Sequence, residues 1–260
     1  MELRVGTYNI QHGVDQNLPE GAGTDINLQY IVDFIRERNL DICGLNEVGM
    51  GGLHAEQAKV IAEQLGYDYR FGCAEIGVSC VGKDGQYGNA IISSYPIVNS
   101  RNVLIEAEKE SDRNPDLDNY GYYENRALLI AEIDVNGCMV TAMSCHIGFG
   151  EYQQNLAVET ILEESAKVTT PLFVMGDFNF TSDTKYYHSL AEKLIDTESV
   201  MVGGAEEHFT FPSAKGKPLT SKIDYIFVKP NSDCLPVSAE AVAYDYSDHR
   251  PLMACFELKF

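Results

Sequence analysis

The chain has 260 residues, 45% of them hydrophobic, and carries 39 acidic against 19 basic residues for a formal net charge of −20. That length suffices for one large domain with a full core, or at most two small ones. The acidity argues against a protein that tracks along duplex nucleic acid, because neutralisation of phosphates by a basic face supplies most of that affinity. It leaves room for a nuclease, since bound divalent cations offset local negative charge.

In chain order, the hydrophobic pattern alternates strands and helices. Residues 3–9 read as a short strand with a polar end, and 25–38 as a helix with Leu28, Ile31, Val32 and Ile35 in phase. Residues 41–47 (DICGLNE) are expected to form a buried strand ending in charge. A second helix follows at 54–65, closed by Gly66 as a left-handed cap. Extended runs come next at 67–73, 89–94 and 97–105, with Pro96 at a turn or edge. Residues 126–135 and 138–144 flank Asn136-Gly137, a strong hairpin signal. A helix at 152–167 leads into the strand PLFVMGD, a helix near 183–193 follows, and strands at 222–229, 237–244 and 252–258 close the chain. Mixed parallel and hairpin connections of this kind point to two packed sheets with helices outside. The polar, acidic, tyrosine-tipped segment 106–124 either shapes a substrate mouth or is a solvated loop.

No apolar run approaches the roughly 20 residues needed to cross a bilayer. The opening MELRVGTYNI lacks the basic region, apolar stretch and cleavage site of a signal peptide, so a cytoplasmic location is expected. The seven cysteines are scattered, odd in number and without a CxxC pair, which points to free structural thiols rather than disulfides or zinc.

Chemistry concentrates where apolar strands run into a carboxylate, amide or imidazole. These positions are Asn9, Glu47, Asn89, His146, Asp177 with Asn179, and Asp248 with His249. Each alone is an ordinary turn residue; together they suggest strand ends gathered at one edge. Asn9 and Glu47 offer hard oxygens to one divalent ion, and a sparse cage of this kind suits Mg²⁺, with Mn²⁺ as a possible substitute. Asp177 can orient or deprotonate a water, and Asn179 can stabilise charge on phosphoryl oxygens. Asp224, expected inside a strand between apolar neighbours, must be paired there because an unpaired buried carboxylate is costly. The economical partner is His249, which leaves Asp248 for the metal or the nucleophile. His146 is a candidate donor, and Arg126 is either a phosphate clamp or a strand-edge charge.

The ordered string TYNI, LNEV, YGNAIISSYPI, ENRALLIAEI, SCHIG, FVMGDFN, KIDYIFV and SDHRPL, running from residue 6 to 252, resembles the endonuclease/exonuclease/phosphatase superfamily. The resemblance covers essentially the whole chain. It implies one catalytic domain over residues 1–260, a four-layer α/β sandwich, and metal-assisted in-line attack of water on a phosphoester with no covalent intermediate. It further implies Asn9, Glu47 and Asp248 at the metal, Asp177 and Asn179 at the water and phosphate, Asp224 paired with His249, and His146 donating to the phosphate while held by Asn89. Asn46 stands where many relatives have Gln. Ser144-Cys145-His146 resembles the deoxyribonuclease I, sphingomyelinase and inositol phosphatase branches more than the abasic-site endonucleases. The opening with Gln11-His12-Gly13 is similar to bacterial hydrolases of the family.

The expected substrate is therefore a small or lipid-head-group phosphoester. The alternatives are a nuclease acting on DNA or RNA and a binding protein of the same fold without turnover. No protein partner is evident in the sequence.

Overall fold

The computed structural model describes residues 1–17, 26–117, 122–213, 218–231 and 233–259. Its elements begin with β1 (Glu2–Asn9), α1 (Gln29–Glu37), β2 (Ile42–Met50), α2 (Gln57–Leu65), β3 (Asp68–Ile76), β4 (Gln86–Ser93) and β5 (Ile97–Ile105). They continue with β6 (Arg126–Val135), β7 (Cys138–His146), α3 (Glu151–Lys167), β8 (Leu172–Asp177), α4 (Lys185–Ala191) and β9 (Ile195–Asp196). The last three strands are β10 (Asp224–Val228), β11 (Cys234–Ala241) and β12 (Leu252–Leu258).

These strands build two six-stranded mixed sheets, ordered β11-β12-β1-β2-β4-β3 and β5-β6-β7-β8-β10-β9. Strand alternation explains how they stack, since successive side chains point to opposite faces. Along β8, Phe173 and Met175 enter the core between the sheets, together with Leu3, Val5, Ile42 and Ile226. The alternate residues Leu172 and Val174 face outward onto α3 and α4 through Ala157, Ile161 and Leu190. On the opposite face of the assembly, Ile31, Phe34 and Ile35 of α1 and Ala58 and Ile61 of α2 cover Tyr8, Cys43 and Leu45. The expected four-layer α/β sandwich is the observed one. Among the described residues no helix is long and apolar enough to cross a membrane, and all seven cysteines are free thiols.

Local chemistry accounts for most element ends. α1 starts later than the hydrophobic phase suggests because the Asn27 side chain accepts the Gln29 N–H at 3.1 Å and turns the chain there. Gly66 closes α2 in the left-handed conformation, with φ of 73°. The β6–β7 hairpin turns at Asn136 (φ 55°) and Gly137 (φ 91°), both positive as a type I′ turn requires.

Two strands differ from expectation at site residues. β2 does not end at Glu47: its pairing with β4 shifts between Leu45 and Val48 and then resumes to Met50, so Glu47 sits on a bulge inside the strand. Asp224 is the first residue of β10 rather than an interior one. On the side of the chain away from β8, Thr210 Oγ1 accepts the N–H groups of both Ile223 and Asp224 at 3.3 Å where the strand begins.

Each sheet contains one parallel pair, β1–β2 and β7–β8, and the C-terminal ends of these pairs define the functional edge. Asn9 lies in register with Asn46, and His146 with Asp177. Antiparallel β10 begins at the same place, Asp224 opposite Asp177. Close approach there depends on Gly176, whose φ is +147° and where an added Cβ would lie 1.8 Å from the Cys145 carbonyl oxygen. Gly176→Ala is therefore expected to cost at least about 3 kcal/mol of stability, combining backbone strain with overpacking. A chemical denaturation curve measures this, and a loss below about 1 kcal/mol would show that β7 and β8 separate without resistance.

Candidate active site

The functional edge opens into a cleft of about 530 Å³ whose walls include Glu47, Arg126, His146, Asp177, Asp248 and His249. Asp177, buried at the end of β8, is its centre. Its Oδ1 accepts the Asn179 backbone N–H at 3.0 Å, which bends the chain so that Asn179 adopts φ of 53°. Its Oδ2 accepts the Asn9 amide at 3.0 Å and lies 3.5 Å from Nε2 of both His146 and His249. The same Asn9 Nδ2 donates to Glu47 Oε1 at 3.1 Å, so one amide ties the two carboxylates together across the sandwich. Asn9 Oδ1 accepts the Gln11 N–H at 3.1 Å.

The two site histidines differ in their surroundings. His249 Nδ1 is 2.9 Å from Asp224 Oδ2, which places the imidazole between two carboxylates. Burial opposes its charge, but Asp224 and then Asp177 outweigh burial and lift it to about 10. His146 has the opposite setting. Burial, and then the Arg126 guanidinium 3.4 Å from Nδ1, hold it well below the usual imidazole range. Its contact with Asp177 is therefore that of a neutral ring rather than an ion pair. Asn179 Nδ2 closes the other side of this ring, 3.1 Å from Nε2, while also donating to the Ile147 carbonyl at 2.8 Å. Burial pushes Asp177 up to about 7, against the pull of charged His249 and with the push of Asp224.

Glu47 reaches the cleft through its bulge at φ of 57°, an uncommon conformation for a glutamate. Asp248 accepts the Ser247 hydroxyl at 3.2 Å and is raised by burial; charged His249 lowers it again, and Glu47 adds to the rise. Arg126, at the first position of β6, is buried beside the Tyr87 hydroxyl at 3.4 Å and the Glu124 carboxylate at 3.4 Å. It is an interior guanidinium at the cleft wall, not a strand-edge charge.

Asn89 departs from expectation. Its Oδ1 accepts the Asn46 amide at 2.9 Å and its Nδ2 donates to the Ala127 carbonyl at 2.8 Å. Both ends are thus committed behind the cleft, and His146 is flanked by Arg126 and Asn179 instead. The amide that stitches the sheets is Asn46, which also donates to the Cys145 carbonyl and accepts the Asp177 N–H at 3.0 Å.

Pattern reading missed several wall residues: His12, Tyr87, Glu124, Phe149 and Phe211. His12 lies 3.5 Å from Glu47 Oε2 and stacks on His54, and burial lowers it below its ordinary value ahead of the opposing effect of Glu47. Glu124 comes from the end of the acidic 106–124 segment, which to that extent shapes the mouth, and Tyr122 stands behind the wall residue Phe149; residues 118–121 of the segment lie outside the described residues.

A match to the model of the Endonuclease/Exonuclease/phosphatase family spans residues 6–249. The chain belongs to this family. The matched span contains the strand ends from Asn9 to His249 that gather at this edge. Among family relatives, the uncharacterized protein YbhP of Escherichia coli strain K12 is 26% identical over 97% of this chain and 95% of its own length. An endonuclease/exonuclease/phosphatase family protein of Bacteroides thetaiotaomicron superposes with a TM-score of 0.75 at 19% identity, covering 100% of this chain and 99% of that one. The mannosyl-6-phosphatase Bt3783 of Bacteroides thetaiotaomicron VPI-5482 superposes with a TM-score of 0.73 at 20% identity, covering 99% and 100%. At such identities these structures establish the fold alone.

Proposed function

We propose that this chain is one catalytic domain that hydrolyses a small or lipid-head-group phosphoester with Mg²⁺ by in-line attack of water. The observation that carries the reading is the position of Asp177. One buried carboxylate touches Asn9, His146 and His249, and its backbone N–H and Oδ1 are both fixed, by Asn46 and Asn179. A base held this rigidly beside two imidazoles suits proton removal from a water and charge stabilisation at a phosphoryl group.

The cleft fits a divalent cation. Glu47, Glu124, Asp177 and Asp248 all line it, against Arg126 as the one Lys or Arg among its described wall residues. A phosphate anion entering such a wall is repelled until positive charge is added. Another acid–imidazole group, Asp177, Asp224 and His249, brings its ligand atoms within 4.8 Å of one another. There, however, His249 Nδ1 and Asp224 Oδ2 already satisfy each other. Glu47 and Asp248 present hard oxygens to the cleft and would hold Mg²⁺ or Mn²⁺, whereas Asn9, whose Oδ1 accepts the Gln11 N–H and whose Nδ2 donates to Glu47, positions that carboxylate from behind. When bound, the ion polarises the phosphoryl oxygen and steadies the leaving group.

The residues of the chain divide the remaining work. Asp177 orients the water and takes its proton. His249, bracketed by Asp224 and Asp177, keeps its proton and donates to a phosphoryl or leaving oxygen. Neutral His146, Asn179 and Arg126 face the phosphate from the other wall. The negative balance of the wall disfavours a long polyanion, which supports a small ester over nucleic acid.

The experiment is hydrolysis of bis-p-nitrophenyl phosphate, p-nitrophenyl phosphate and plasmid DNA with Mg²⁺ or Mn²⁺, and again with EDTA. Metal-dependent release of p-nitrophenol that EDTA stops is expected. Faster cutting of plasmid DNA than of either small ester would move the assignment to a nuclease, and metal-independent turnover would sink the mechanism.

A further inference from the structure

The wall opposite His249 combines three features that the hydrolytic step does not use. Glu124 sits at the mouth with its carboxylate 3.4 Å from Arg126 and its side chain 27% exposed, so it is reachable by a ligand that also reaches the guanidinium. Phe149 lines the same cleft although 47% of it is exposed, and its ring stacks on Tyr122 at 6.3 Å and 21°. The backbone that carries Glu124 is pinned. Gln153 donates to the Glu124 carbonyl at 2.9 Å, and both the N–H and the side-chain amide of Asn125 bond Glu75. Neither the carboxylate nor the aromatic pair has a task in polarising or attacking phosphorus.

We propose that Glu124, with the Phe149–Tyr122 pair, selects a phosphoester whose alcohol part is a polyhydroxylated ring. An ionised carboxylate only accepts hydrogen bonds, so at a cleft mouth it favours a group rich in hydroxyl donors and repels further anionic charge. A flat aromatic platform beside it takes the C–H face of a sugar or the face of a base. Arg126 fixes the phosphate, and Glu124, one ion-pair distance away, reads the hydroxyls of the atoms attached to it. A hydroxyl whose absence leaves an acceptor covered by the ligand without its donor discriminates more strongly than added apolar bulk does. Burial, ahead of the opposing effect of Arg126, raises the Glu124 carboxyl, consistent with a group whose solvation has been partly removed in anticipation of a ligand donor. This proposal rests on the hydrolase reading above and deepens it; free sugar phosphates and nucleotides share the chemistry and are separated by the test.

The test is steady-state kcat and KM with Mg²⁺ for hexose 6-phosphates, nucleoside 5′-monophosphates, glycerol 3-phosphate and p-nitrophenyl phosphate, in the wild type and in Glu124→Ala and Glu124→Gln. Wild type is expected to prefer at least one ring polyol ester over glycerol 3-phosphate. Glu124→Ala should lower kcat/KM on that ester at least about tenfold more than on p-nitrophenyl phosphate, mainly through KM. A 2-deoxy version of the preferred ester should narrow the gap between variant and wild type if that hydroxyl is the one read. A preference for hexose phosphates identifies a sugar, and a preference for nucleoside monophosphates identifies a base on the platform. Equal losses on all esters, or none on any, would overturn the assignment of Glu124. Turnover of p-nitrophenyl phosphate with no ring ester accepted would overturn it too, while leaving the hydrolase reading intact. Absence of metal-dependent turnover on every compound would end both.

Discussion

Asp177→Asn is expected to lower kcat by about 10³- to 10⁴-fold, the loss typical of removing a positioned general base, without lowering the melting temperature. The two halves of that expectation come from one geometry. Asparagine retains the volume and one oxygen for the Asn179 N–H, but it cannot take a proton from water. In stability burial makes the carboxylate a burden, its value moving from 3.8 to about 7 on folding, and this outweighs the help that it gives, after Asp224, in holding the proton on His249. The sign follows from linkage. A carboxyl held above its unfolded value loses its proton more readily in the unfolded state, so stability falls as pH rises from about 4 to about 7 and stays reduced above that. The variant has no such loss. In EDTA at pH 8 its melting temperature should match or exceed that of the wild type. Retention of more than a tenth of wild-type kcat would remove Asp177 from the proton-transfer role. A marked fall in melting temperature would show instead that the carboxylate serves structure.

How far the site was readable from residues alone depends on how local its causes are. The strand ends are local: an apolar run that meets Asn9, His146 or Asp177 must expose or pair that group, and parallel pairing then aligns the ends. The Asp224–His249 pair was legible for a related reason, since a carboxylate among Ile223, Tyr225 and Ile226 requires a partner. Glu47 was placed correctly in the cleft but on the wrong local structure. Its bulge arises from the register of β2 against β4, a tertiary pairing that no periodicity encodes. Asp224 stands at the start of β10, where its N–H bonds Thr210, 14 residues away, a partner that no periodicity encodes. Asn89 turned out to be a structural amide because Asn46 and Ala127 reach it first. His12, Glu124, Phe149 and Phe211 lie between elements, where neither helical nor strand phase marks a facing direction. The adjacency of Glu124 to Arg126, two residues on, was the one usable signal among them.

Glu47 carries the second large expectation. Glu47→Gln should raise the Mg²⁺ concentration for half-maximal activity by about 10²-fold or more, since an acidic ligand to a hard cation is replaced by a neutral one. The structure makes a companion prediction from the backbone. A glutamate at φ of 57° is held against its conformational preference, at a cost of about 1–2 kcal/mol that glycine does not bear. Among the described residues its side chain offsets this through the Asn9 amide and the His12 ring. Glu47→Gly, measured in EDTA, is therefore expected to melt no lower than the wild type. Metal then separates the two proteins. At a Mg²⁺ concentration about 100 times its dissociation constant the wild type gains about 2.7 kcal/mol, while Glu47→Gly and Glu47→Gln gain little. An equal metal-induced rise in all three would place the ion elsewhere, and the Asp177, Asp224 and His249 group would become its seat. A large fall of Glu47→Gly in EDTA would show that the carboxylate holds the bulge in place. Retained stability together with lost metal response is the pattern of a backbone strained in order to aim a ligand.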